Sequence, residues 1–210
     1  MATTKGRVFH PQALTTAEVE ALMAACSPAS PTGKRNRALI VVLWRGALRC
    51  EEALKLKIHD LDRADGSVRV MFGKGRKART VGIEPRAWAV LEVWLAARDA
   101  KGLPRSAPLF CTLAGRPLSS RYVRWMMTDL GAKAKLEKRV HAHGLRHSRA
   151  YEAANEGVPT HMISVFLGHS NVGTTDRYIQ HLNPRSAIDA MLASKWGRDE
   201  PAALQGEPDA

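Results

Sequence analysis

Acidic residues are scarce in this 210-residue chain: 20 Asp and Glu stand against 32 Lys and Arg, giving a net charge of +12 and a pI near 10.1. That imbalance points to a polyanionic partner, with a solvated basic surface that only aids solubility as the plainer alternative. Cysteine is nearly absent too. Cys26, Cys50 and Cys111 are odd in number, scattered and without a CxxC pair, which excludes a disulfide framework and a zinc ribbon. Long apolar runs are missing: the longest, "ALIVVLW", has seven residues, far too few for a membrane-spanning helix. The opening "MATTKGRVFHPQ" lacks the apolar core of a secretory signal, so a cytoplasmic protein with no membrane partner is expected.

What is present is the composition of one globular domain, 45% hydrophobic and 25% charged, in a length that supports one sizeable core. "LTTAEVEALMAAC" predicts a first helix with Thr15 as cap and Glu18 completing a capping box. A second helix, from about residue 34 to 48, carries the apolar run and has no polar face over that stretch, so it should be buried on most sides. "SVRVMF" and "RTVGI" are rich in β-branched residues and flank "GKGRKA", which predicts a basic-tipped hairpin. "EPRAWAVLEVWLAAR" is helical in pattern, with Trp88, Leu91 and Leu95 on one core-facing side. Another helix spans about 119 to 136, and short helices fill 143 to 195. The expected organisation is a flexible N-terminus (1–13), one domain (14–195) and a disordered acidic tail (196–210).

Chemistry concentrates in four places distant in sequence. In "GALRCEEALKL", Arg49 follows the buried helix with Glu52 three residues on, and a guanidinium fork fits a phosphate with two hydrogen bonds. In "GKGRKAR", Lys74 sits between two glycines at the hairpin tip, beside Arg76 and Lys77. In "HAHGLRHS", His143 and Arg146 are three apart, share a helix face and form a pair suited to one phosphate. His141, His143 and His147 in the same run raise a competing metal reading, against which stand the adjacent arginine and the lack of a nearby cysteine or carboxylate. In "FLGHSNVGTTDRYIQHL", His169 is followed nine residues later by Tyr178, one of only three tyrosines, where a purely structural tyrosine is the plainer alternative.

Taken together, the order Arg, Lys, His-x-x-Arg, His, Tyr makes the chain resemble the catalytic domain of the tyrosine recombinase, or phage integrase, family. "GALRCEEALKLKIHDLD" is similar to that family's first arginine box, "GKGRKAR" to its lysine hairpin, "HAHGLRHS" to its HxLRH box and "LGHSNVGTTDRYIQH" to its LGH…TTxxYxH ending. The similarity runs from about Leu14 to His181. Glu51 departs from the small hydroxyl residue common at its position, and only 48 residues precede Arg49, as in shorter single-domain members such as the fimbrial-switch invertases.

The resemblance implies a mainly α fold with a small antiparallel β-sheet, and site-specific DNA strand exchange through a covalent 3′-phosphotyrosine. It implies Tyr178 as nucleophile, Arg49 and Arg146 as phosphate clamps, His143 and His169 as further donors and Lys74 as the hairpin lysine, supported by Glu52. Lys74, Arg76, Lys77, Arg121 and Arg124 are the expected DNA contacts. The expected partners are double-stranded DNA and further copies of the chain, up to a tetramer assembled on DNA, with room for an accessory DNA-bending protein. Neither cofactor nor metal is expected, because cationic side chains supply the charge that phosphoryl transfer needs. Two rivals remain open: a type IB topoisomerase-like relaxing enzyme, and a catalytically silent DNA-binding regulator.

Overall fold

A computed structural model of the chain describes residues 13–71 and 78–168. The expected flexible N-terminus, the hairpin tip and everything from residue 169 onward, including the expected acidic tail, lie outside the described residues.

Helix α1 (Thr16–Ala24) begins with the expected capping box: Thr15 Oγ1 accepts from the Glu18 amide at 3.2 Å, and Glu18 Oε2 accepts from the Thr15 amide at 2.7 Å. Helix α2 (Pro31–Arg45) opens with Ser30 accepting from the Gly33 amide and with proline in its first turn, where no amide proton is needed. Its run from Ala38 to Leu43 is at most 2% exposed and forms the axis of the core, each large side chain contributing roughly 1.5–3 kcal/mol of burial. The expected end of this helix was Leu48; it stops at Arg45, because Gly46 caps it and Ala47 turns left-handed at φ 46°.

That turn is strained, since a non-glycine residue with positive φ costs on the order of 1–3 kcal/mol. Its surroundings hold it in place. Ala47 is fully buried against Ala150, Ala153, Ile163 and Leu167, a small apolar cluster that fastens two later helices to the turn. Two residues further on, Arg49 becomes the first flanking residue of α3 (Cys50–Lys55).

A three-stranded antiparallel sheet follows, in the order β1 (Leu61–Asp62), β2 (Ser67–Val70), β3 (Arg79–Gly82). The β2 and β3 strands are the two expected hairpin arms, paired Val68 to Val81 and Val70 to Arg79; the short β1 is an addition. Helix α4 (Pro85–Ala100) packs along α2. Trp88 and Leu91 are buried as expected, but Leu95 is only partly so. Trp94 takes the innermost position instead, fully buried with Nε1 donating to the Leu109 carbonyl at 2.9 Å.

Helix α5 (Ser120–Lys133) presents Arg121, Arg124 and Trp125 to solvent and Val123, Met126 and Met127 to the core. Helices α6 (Ala142–Asn155) and α7 (Thr160–Leu167) complete the described fold, α7 ending at Gly168 with φ 63°. Mainly helical with one small sheet, this is the expected fold class. No helix among the described residues is long and apolar enough to cross a membrane.

Candidate active site

Four elements meet at one end of the core: the turn into α3, strand β3, the first turns of α6 and the C-terminus of α7. Arg49 sits at the start of α3, where its backbone amide donates to Glu52 Oε2 at 2.8 Å and its Nη1 to Glu52 Oε1 at 2.9 Å. Glu52 is 4% exposed. A carboxylate so placed must be fully partnered, and a second arginine completes the set. Arg79, on β3, grips both oxygens of Glu52 with Nη1 and Nη2 at 2.9 and 2.7 Å.

Arg146 reaches the same place from α6. It is 2% exposed, and its Nη1 donates to the carbonyl of the strained Ala47 at 2.6 Å. Its Nη2 donates to the Leu167 carbonyl at the end of α7. Arg49 Nη2 lies 3.5 Å from the carbonyl of the next residue, Gly168, while a side chain built on Gly168 would run into Arg79 Cδ at 3.0 Å. Three guanidiniums thus surround the last carbonyls of α7, whose partial negative charge suits them. Only glycine satisfies both the left-handed φ at 168 and the close approach of Arg79.

The electrostatics follow from one carboxylate serving three cations. Burial alone would raise the Glu52 pKa, but the hydrogen bonds and charges of Arg79 and Arg49 win and hold it at about 2. Arg146 is pushed down to about 9, first by burial and then by the charges of Arg49 and Arg79, with Glu52 acting in the opposite direction. The cluster keeps two unbalanced positive charges around buried donors, an arrangement suited to an anion.

His143 stands one turn before Arg146 on α6. The residue is exposed overall, but desolvation by the atoms packed around its ring, followed by the charges of Arg146, His141 and Arg49, lowers its pKa below the ordinary histidine value, so its imidazole is mostly neutral at pH 7 and able to accept a proton. The neighbouring histidines have other work. His141 caps α6, its Nδ1 accepting from the Gly144 amide at 2.8 Å, and His147 is buried with its ring edge-on to His143. Among the described residues no group of three metal-ligating side chains is arranged to hold an ion.

The structure therefore brings Arg49, Glu52, His143 and Arg146 together. Arg121 and Arg124 lie exposed on α5, with Arg124 close enough to Cys50, beside Arg49, for its charge to act on that thiol. Lys74, Arg76, Lys77, His169 and Tyr178 lie outside the described residues, although the described chain ends at Gly168, directly before His169. Sequence reasoning missed Arg79. The signal was the period-2 pattern of β3, which sets residue 79 on the inward face shared by Val81, where an arginine needs a buried acid.

A buried guanidinium flanked by two partly buried ones, at the end of a mainly helical domain with a small sheet, is an anion-suited cluster, and comparison with known proteins gives the family. The chain belongs to the phage integrase family, whose profile matches residues 12–185. It is 36% identical over 182 residues to tyrosine recombinase XerC of Halalkalibacterium halodurans, covering 84% of this chain and 60% of that protein. It is likewise 36% identical over 177 residues to XerC of Escherichia coli, covering 84% of this chain and 57% of that protein. Among solved structures, it resembles the XerA recombinase with a TM-score of 0.75 and 26% identity, over 92% of this chain and 68% of that one. The XerH site-specific recombinase, bound to palindromic difH substrate in a post-cleavage complex, matches with a TM-score of 0.71 and 27% identity over 91% of this chain and 55% of that one. The chain thus spans about 60% of the length of the curated relatives it matches.

Proposed function

We propose that the protein is a site-specific DNA recombinase that breaks and rejoins strands through a covalent 3′-phosphotyrosine. The observation that carries this reading is the meeting of Arg49 and Arg146 at the C-terminus of α7, immediately before His169, with two positive charges left over. Among the described residues, Arg49 and Arg146 each engage two of the five guanidinium N–H groups, so unengaged N–H groups remain on both for a phosphate.

A phosphodiester resists attack because the nucleophile meets negative charge, and a second negative charge develops on its non-bridging oxygens in the transition state. Arg49 and Arg146 neutralise that charge with donors already in place, with His143 and His169 as further donors. Tyr178 Oη attacks phosphorus, a new P–O bond forms to tyrosine, and the P–O5′ bond breaks. The tyrosine proton passes to neutral His143, and Lys74 supplies a proton to the departing 5′ oxygen. Energy of the broken bond stays in the phosphotyrosine, so a 5′-hydroxyl from another duplex reverses the step without ATP.

The substrate is double-stranded DNA, contacted by Lys74, Arg76 and Lys77 from the hairpin and by Arg121 and Arg124 from α5. Occupancy depends on several copies of the chain assembling on DNA as far as a tetramer, and the protein works in the cytoplasm. Incubation with a nicked suicide duplex tests the chemistry: wild type should form a covalent adduct and Tyr178→Phe should bind DNA without forming one. Strand exchange between two labelled duplexes is the expected second result. Adduct formation by Tyr178→Phe would refute the nucleophile, and relaxation without exchange would assign a topoisomerase instead.

A further inference from the structure

Arg79 has no part in the mechanism above, yet both of its terminal nitrogens are committed to the carboxylate beside Arg49. It spans both oxygens of Glu52, the carboxylate that also holds Arg49 at two points. Its aliphatic and guanidinium atoms lie over Gly168, 3.0 to 3.2 Å from where a side chain would begin. Its Nε is buried with no hydrogen-bond partner among the described residues. Arg79 thus packs over the end of α7, where Arg49 Nη2 also points, while it holds the carboxylate that orients Arg49.

Resting on the recombinase reading, we propose that Arg79 is a positioning residue for strand cleavage: through Glu52 it sets the orientation of Arg49. Without Arg79, Arg49 is the one ion-pair partner left to Glu52 among the described residues. The carboxylate is then free to follow that one guanidinium, and Arg49 is no longer held at a single orientation. That displaces a guanidinium that must meet a phosphate oxygen at hydrogen-bond distance, where an error near 1 Å costs on the order of 100-fold in rate. Lysine is a poor replacement, because a single ammonium cannot span two carboxylate oxygens as the planar fork does.

The test is single-turnover cleavage of a nicked suicide duplex at saturating protein, alongside mobility-shift binding of the same duplex. Wild-type adduct must appear first; its absence removes the recombinase reading itself, independently of Arg79. Given that adduct, Arg79→Gln should cleave about 100-fold more slowly with DNA affinity within about threefold of wild type, which is roughly 0.7 kcal/mol. In a Glu52→Gln background the same change should cost no more than about twofold, because the two residues act as one unit. Arg79→Lys keeps one ion pair, guards against loss of folding and should show the same signature at about tenfold. Full-rate cleavage by Arg79→Gln, or losses that multiply in the double variant, would overturn the proposal. A defect confined to DNA affinity would make Arg79 a plain phosphate contact and would overturn it equally.

Discussion

Replacing Glu52 by glutamine keeps the shape of the side chain and removes its charge, and the structure sets the size of the effect. Glu52 is nearly fully buried, so water screens little of its attraction to Arg49 and Arg79. Its pKa falls from the ordinary 4.5 to about 2, and at 1.36 kcal/mol per unit the ionised carboxylate contributes about 3 kcal/mol to folding at neutral pH. Breaking a buried ion pair by removing one partner typically costs about 3–5 kcal/mol, which agrees. For a chain of this size that corresponds to a fall of roughly 6–12 °C in melting temperature. The sign of the pH dependence follows from the lowered pKa. The contribution is complete above the unfolded-state value of 4.5 and is lost as pH falls toward about 2. Urea denaturation of wild type and Glu52→Gln should therefore show a stability gap that narrows by about 2 kcal/mol between roughly pH 6 and pH 3. A gap that stays constant over this range would mean that Glu52 acts through shape and neutral hydrogen bonds, and the account of its charge would fail.

Trp94→Ala should cost about 3–5 kcal/mol in urea denaturation, because it leaves a large cavity in the core and strands the Leu109 carbonyl; a loss below 1 kcal/mol would place the core elsewhere. The cleavage rate should fall on the acid side only below the ordinary histidine pKa of 6.5, since neutral His143 is the acceptor and its pKa is lowered, and His143→Gln should remove that limb. A limb at or above pH 6.5 that survives the substitution would assign the proton to another group. Lys74→Ala should be rescued on a duplex whose bridging 5′ oxygen is replaced by sulfur, a leaving group that departs without a proton donor; equal defects on both substrates would reduce Lys74 to a phosphate contact. Cleavage should persist in EDTA, and a loss restored by zinc would revive the reading of His141, His143 and His147 as metal ligands.

Much of the fold was legible because its signals are local. The Thr15–Glu18 capping box, the β-branched arms of the hairpin and the apolar period of α4 each depend on residues within one or two turns, whereas α2 begins at Pro31, three residues before the expected start near 34. Arg49, Glu52, His143 and Arg146 stood out in short motifs, His143 and Arg146 by a spacing that shares a helix face and all four by their resemblance to a family pattern. Tertiary structure decided what these residues touch. That Ala47 would adopt a left-handed turn, ending α2 three residues early, depends on a buried cluster drawn from α6 and α7 and on Arg146 binding its carbonyl across 99 positions. That Arg79 would join Arg49 on a single carboxylate depends on β3 packing beside α3, 27 residues away from Glu52 in sequence. Hydrophobic periodicity and capping act over a few residues and can be read along the chain. The pairing of buried charges is settled only when distant segments lose water together, because a cation and an anion removed from solvent must each find the other.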